Sequence, residues 1–449
     1  MIEELDTDYL VIGAGAQAMA FADELVSQSK SVRIILVDRR ATPGGHWNNA
    51  YGFVTLHQPA AFYGVNSERL ENSLEDFASR DLIVAYYARV MKKLCATGRV
   101  QFFGECEYLG EGRFKSLNPD GQEYHVTPRL RTVDATYSNV TVPSTRPPPY
   151  TVAEGMHAVP INALANLDRE WSRYVVIGAG KTGMDALLHL LEIGTDPDRI
   201  TWVVSNDVWL INREVMMLDT FLGSFAQQLR ETCLATDVDD YFRRFEQAGW
   251  FMRVDPSVPT VRFRCASVTP EELKALRRIQ DVVRLGRVTR IDATEIVLDR
   301  GRVPTGPDVL HVDCSADGLT RRPARPVFDG DHITLQPVTF CQPVMSAAML
   351  GNIEMLSVDD DRKNKMSHPT PHPMVPHDYF VTVIAMADNL IAWFPMQVSW
   401  LLRNRLSMFH HVSLWDKIWF AFSMVRWFYG SIRAANKFVR DLEEADRVY

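Results

Sequence analysis

Short, wholly apolar runs recur along the chain, and two of them lead into nearly the same glycine pattern. Tyr9-Leu10-Val11-Ile12 enters Gly13-Ala14-Gly15-Ala16-Gln17-Ala18, and Tyr174-Val175-Val176-Ile177 enters Gly178-Ala179-Gly180-Lys181-Thr182-Gly183. A brief run with no polar alternation reads as a strand buried on both faces, and the helical spacing that follows predicts helices over about 17–27 and 181–191. Second apolar runs over 32–37 and 200–204 complete each unit, so the pattern predicts two βαβ units. Helical spacing continues over 81–97 and in the mixed-charge stretch 218–276, where Thr269-Pro270-Glu271-Glu272 reads as a capped helix start. Short strands are expected over 100–108, 124–126, 130–135 and 288–299, and a buried strand running into a polar turn over 309–319. Residues 339–351 predict a helix with Pro343 in its first turn. Pro143 to Tyr150 is a stiff linker.

The glycines have separate physical tasks. Gly13 permits the tight turn, Gly15 lets a pyrophosphate approach the backbone, and Ala18 lets the helix pack against the strand, with phosphate at the helix N-terminus. Asp38 closes the second strand 25 residues after Gly13, where a carboxylate binds a ribose hydroxyl. Gly178, Gly180 and Gly183 repeat the scheme, with Lys181 and Thr182 between them. The matching strand ends on Ser205-Asn206-Asp207, followed by Arg213. A carboxylate there suits NADH and a nearby arginine suits the 2′-phosphate of NADPH; the pattern leans to NADPH, with Arg213 or Lys181 supplying charge. Two facing dinucleotides suggest hydride transfer between a nicotinamide and a flavin. The fold class is α/β with two Rossmann-like dinucleotide-binding domains and an aromatic-rich helical C-terminal tail.

Composition narrows the partners. The 449 residues are 46% hydrophobic and 23% charged, with a net charge of −8 and a sequence pI near 5.9, which argues against nucleic acid. The acidic N-terminus reads as having no signal peptide, hence a cytoplasmic protein. No uninterrupted apolar run reaches the roughly 18 residues of a membrane span; the nearest, 380–394, carries Asp388 and Asn389. The six cysteines show no C-x-x-C pair and read as reduced structural thiols. His368, His372 and His377 sit among prolines without a cysteine or carboxylate partner, so they read as a surface loop and no metal is expected. From Trp400 to Arg433, aromatic residues alternate with Arg403, Arg405, Lys417 and Arg426. Such helices pack on the core or a second subunit, or lie on a membrane surface or over an apolar channel.

After Asp38 come Arg39, Pro43-Gly44-Gly45-His46-Trp47 and Leu56-His57-Gln58. With the first glycine pattern, these segments resemble the flavin-containing monooxygenases and their Baeyer–Villiger relatives, over most of 8–205 and more weakly over 305–350. The resemblance implies FAD and NADPH (or NADH) as cofactors. It also implies an NAD(P) domain inserted in the FAD domain: 1–150 and 305–398 for FAD, 151–304 for NAD(P), and 399–449 as the tail. Arg39, Gly45, His46, Trp47 and, after the return, Asp317 would contact cofactor, whereas Ser205 stands where the family usually has arginine. Gln58 replaces the usual asparagine near the flavin and is the candidate hydrogen-bond partner for a C4a-hydroperoxyflavin, with His57 beside it. The reaction implied is oxygenation by O2 at nitrogen, sulfur or carbonyl of a small apolar substrate. The Baeyer–Villiger fingerprint is not intact, since Gly155-Met156-His157 has the wrong spacing. The alternatives are a quinone-type NAD(P)H reductase peripheral to a membrane and a nucleotide-binding protein without turnover. A disulfide reductase is excluded, because the first cysteine after the first unit is Cys95, unpaired in sequence.

Overall fold

The computed structural model describes residues 2–70, 77–119, 121–316, 318 and 322–446. Its first sheet has the spatial order Phe328–Asp329, His332–Thr334, Arg131–Asp134, Tyr9–Ile12, Ile34–Val37, Val100–Phe103. All neighbours are parallel except the outermost pair. Ile12 lies opposite both Val37 and Asp134, so the Gly13 turn and Asp38 share one carboxyl edge. Helix Ala16–Gln28 covers one face, with its inward residues fully buried, and helix Pro343–Glu354 packs against it. Gly351 permits that approach: a Cβ there would lie 3.0 Å from the Glu24 Cβ and 3.1 Å from the Phe21 carbonyl oxygen. Pro343 occupies the first turn, as the sequence predicts.

The second sheet is wholly parallel, in the order His157–Pro160, Val309–Asp313, Arg173–Ile177, Ile200–Val203, Asp281–Val283. This corrects the expected return to the first domain at residue 305. Val309–Asp313 belongs to the second sheet, and the chain regains the first only at Phe328. Val309–Asp313 is buried along its whole length, and such a run carries no alternation to say which sheet it joins. The region read as helical over 218–276 does contain helices Phe221–Leu234, Val238–Gln247 and Pro270–Leu276. It also holds strand Arg262–Val268, parallel to Val208–Asn212.

In the tail, Pro376–Arg403 is one helix running through Pro395. By length and composition it could cross a membrane, with a window of mean hydropathy 1.4. One face is nevertheless built into the core. Buried Asn389 donates to the Val338 and His368 carbonyls at 2.9 and 2.7 Å and accepts from the His368 N–H at 2.8 Å. Helix Leu414–Asp446 buries Phe420, Phe428 and Phe438 and packs on Phe221–Leu234.

Candidate functional site

The carboxyl edges of both sheets open on one cavity of about 2230 Å³, lined by Gly13, Gly15, Asp38, Gly178, Gly180 and Ser205 among others. At the first edge Gly13 has φ +98°, and a Cβ would stand 3.1 Å from the Thr136 methyl. The helix that starts at Gly15 has no side-chain cap and no acid in its first turn. Helix Lys181–Glu192 starts at Gly180 in the same way, whereas the helices beginning after Ser79, Asp237, Thr269 and Asp359 are capped by those side chains. Both glycine turns thus present unsatisfied backbone N–H groups, the arrangement that receives a pyrophosphate.

The loop after the second strand folds back on the first turn. Gly44 donates from its backbone to the Ala14 carbonyl at 2.8 Å, and a Cβ on Gly45, itself at φ +60°, would come within 3.0 Å of the Gly15 Cα. Gly15 therefore admits this loop as well as leaving its N–H groups open. Ala18 is fully buried under the sheet. Asp38 lines the cavity and also braces the turn, accepting from the Ala14 N–H at 2.7 Å and the Arg40 N–H at 2.8 Å. Arg39 lies at the exposed rim, 3.7 Å from Glu107. Trp47 donates from Nε1 to the Tyr63 hydroxyl at 2.6 Å.

At the second edge, a Cβ on Gly178 would overlap the Cys314 carbonyl and one on Gly183 would overlap the Gly178 carbonyl, while one on Gly180 meets nothing within 4 Å. Gly178 and Gly183 serve the packing, and Gly180 faces open cavity. Thr182 lines the cavity. Lys181 is paired with Asp185, which also accepts from the Tyr51 hydroxyl at 2.5 Å. Arg213 does not reach the cofactor edge. It is 4% exposed, ion-paired with Glu272 at 3.0 Å and donating to the Ser267 carbonyl at 3.1 Å. The expectation for Arg213 is corrected: its nearest carboxylate, far along the chain, draws it inward. Asp207 is likewise held by Arg284 at 3.0 and 3.2 Å. Ser205, Asn206 and Arg287 line the cavity instead; Arg287 follows the neighbouring strand and carried no signal in sequence.

Leu56, His57 and Gln58 form part of the wall. Gln58 donates from Nε2 to the Phe62 carbonyl at 3.1 Å. The His57 ring opens to the cavity but is enclosed by protein, and burial, aided by the Lys181 and Arg213 charges, holds its pKa well below the usual value. Burial and the Arg40 charge take His46 from 6.5 down to about 4. A base with a depressed folded pKa stays neutral where the unfolded chain takes up a proton. Its stability contribution is therefore present above about pH 6.5 and lost as pH falls towards 4. Urea midpoints of the protein are expected to fall across that window, on the order of 2–3 kcal/mol from His46. His46→Gln should flatten the slope; an unchanged slope would remove His46 as its source.

Two cavity residues lacked a reading in sequence. Gln17 accepts at Oε1 from Ser138 at 3.2 Å, yet its buried Nε2 has no hydrogen-bond partner among the described residues, and neither has the Gln342 Oε1. Gln17 occupies a variable position of the first glycine pattern, the only hint available. Asp317 lies outside the described residues. The reading of all six cysteines as free thiols is corrected by a Cys265–Cys341 disulfide; a separation of 76 residues leaves no spacing signal.

No family model matches the chain. Among solved structures it is similar to a flavin-containing monooxygenase from Stenotrophomonas maltophilia, with 16% identity, 77% of this chain and 97% of that chain covered, and a TM-score of 0.46. It is also similar to a cyclohexanone-bound cyclohexanone monooxygenase, with 14% identity, coverages of 78% and 88%, and a TM-score of 0.49. Among curated proteins, uncharacterized protein Rv2000 of Mycobacterium tuberculosis and uncharacterized protein Mb2023 of Mycobacterium bovis are each 46% identical over 422 residues, covering 90% of this chain and 78% of theirs. At that identity and coverage, the chain belongs to the same protein family as these two mycobacterial proteins.

Proposed function

We propose that the chain is an FAD-dependent, NADPH-consuming monooxygenase of small apolar substrates. The observation that carries this reading is the pair of uncapped glycine turns opening on a single cavity. The residues fit the cofactors: Gly180 leaves a cradle that a side chain would fill, and the buried Gln17 Nε2 and Gln342 Oε1 supply a donor and an acceptor without protein partners. Bound FAD would accept hydride from NADPH and activate O2. The chain's own part is to hold the two pyrophosphates at the helix termini, to orient a ribose with Asp38, and to place Ser205, Asn206 and Arg287 at a 2′-phosphate. With Asp207 neutralised by Arg284, that edge suits NADPH better than NADH.

Beyond the cofactor edges the cavity continues between Phe62, Phe221, Leu229, Phe380, Trp393 and Leu406. Apolar walls of this kind keep water from a reactive oxygen species, a need that a simple reductase does not have. Neutral His57 offers an imidazole N–H at this wall. Gln58 is fastened to Phe62 and positions the loop. Rapid mixing tests the reading: anaerobic reduction by NADPH, then oxygenated buffer. The expected result is a transient absorbance distinct from both reduced and oxidised flavin. Direct return to the oxidised spectrum would favour the reductase, and the absence of bound flavin would overturn both.

The tail adds a second element to this proposal. Helix Leu414–Asp446 leaves Trp415, Ile418, Trp419, Phe422, Val425 and Tyr429 exposed, Val425 at 85%. They recur at helical spacing beside Lys417 and Arg426, the composition of a helix lying on an anionic bilayer. The enzyme would draw apolar substrates from that surface. Cosedimentation with phosphatidylserine vesicles is expected for the full chain and lost in Phe422→Asp/Val425→Asp; equal binding by both proteins would sink the idea.

A further inference from the structure

Three segments remote in sequence meet on the wall of the cavity. Cys265 is on strand Arg262–Val268, Cys341 lies just before helix Pro343–Glu354, and His372 is on the proline-rich loop before helix Pro376–Arg403. Their ligand atoms all lie within 4.8 Å of one another, with the Cys341 Sγ 3.9 Å from the His372 Nδ1. The two cysteines are joined as a disulfide, with Cα atoms 7.1 Å apart. Both have positive φ, +53° at Cys265 and +48° at Cys341, a region uncommon for a residue with a side chain and associated with functional sites. A hydrogen bond with the Arg264 backbone holds the imidazole, the kind of support that orients a metal-ligating histidine. In sequence His372 was discounted because it had no cysteine partner; the fold supplies two.

A structural disulfide does not need an imidazole nitrogen turned to its sulfur, whereas a tetrahedral cation does. Two sulfurs and one imidazole, with no carboxylate in the group, select a zinc-class ion over magnesium or calcium. All three residues line the cavity, so an ion could reach them from its interior. We propose that Cys265, Cys341 and His372 bind one zinc-class divalent cation when the disulfide is reduced, the disulfide being the metal-free form. The interconversion balances with an external dithiol as reductant: its two electrons break the S–S bond as it closes to its own disulfide. The two protein thiols then release two protons on binding the cation. The proposal is independent of the cofactor assignment.

The test uses the full chain, reduced anaerobically with a dithiol, freed of it, and titrated with Co2+ and then Zn2+. Expected are one equivalent of Co2+ with a sulfur-to-cobalt charge-transfer band, its displacement by Zn2+, and no binding before reduction. Cys341→Ser and Cys265→Ser, from two different elements, should each lose the band. His372→Ala should keep thiolate absorption but weaken cobalt by more than the ~10-fold that the loss of a mere outer-shell partner costs. A wild-type band no stronger than that of both serine variants, unaltered affinity in His372→Ala, or a disulfide that the dithiol does not reduce in the folded protein would each overturn the proposal.

Discussion

Gly180→Val is expected to leave fold and flavin in place while removing NADPH-dependent reduction. Gly180 has φ −82° and ψ −179°, ordinary extended backbone for any residue, and a Cβ there meets nothing within 4 Å. The substitution therefore costs the protein little. The valine methyl groups would occupy the space in front of the uncapped first turn of Lys181–Glu192, where, on the proposed reading, the backbone N–H groups would receive a phosphate. Losing two charge-assisted hydrogen bonds, at about 1.5–3 kcal/mol each, should raise the dissociation constant for NADPH by ~100-fold or more. Stopped-flow reduction and calorimetric titration read this directly, with melting temperature as the control. Gly178 and Gly183 cannot serve the same purpose, because a Cβ at either collides with backbone. Gly15→Ala is the partner experiment at the flavin edge, where a Cβ makes ordinary contact at 3.7 Å with Gly45. Wild-type reduction by Gly180→Val would end the assignment of the second edge.

What could be read from the sequence follows from how local each signal is. The two βαβ units were legible because strand, glycine turn, helix and second strand succeed one another within some thirty residues. The glycines at the turns, Asp38 at the strand end and Pro343 in its first helical turn are set by neighbours in the chain, and they stand at those places in the fold. Sheet membership of Val309–Asp313 was not legible, because a run buried on both faces has no periodicity that names its partner strand. Arg213 was misread for a related reason. Proximity to a strand end is visible in sequence, but its ion pair with Glu272 is not. Cys265, Cys341 and His372 show the same limit: each is silent alone, and the cluster exists only after three segments have packed. The tail's part in the cavity was hidden too, since an aromatic helical stripe does not say whether it covers a core or closes a pocket.

That last point supports a second large effect. Arg405→Ala is expected to destabilise the protein by about 3–5 kcal/mol, the sum of several buried acceptors losing their donors. Arg405 is 7% exposed and lies between the two tail helices. It donates from Nε to the Val65 carbonyl at 2.7 Å, from Nη1 to Ala61 at 3.0 Å and from Nη2 to Tyr63 at 2.6 Å. All three side-chain acceptors are backbone carbonyls and burial lowers the guanidinium pKa from its usual value, so the group acts mainly as a rigid donor fork. Its three acceptors belong to the loop that carries Phe62 and Tyr63 into the cavity wall, and Gln58 is tied to the same loop through the Phe62 carbonyl. Arg405→Lys keeps the charge but has a single nitrogen to reach three diverging carbonyls, so an intermediate loss is expected. Urea denaturation measures the stability, and peroxide released per NADPH consumed measures water entry past a loosened wall. A midpoint shift worth less than about 1 kcal/mol in Arg405→Ala would mean that water replaces the fork at little cost. In that case the tail would be packed beside the site without holding it.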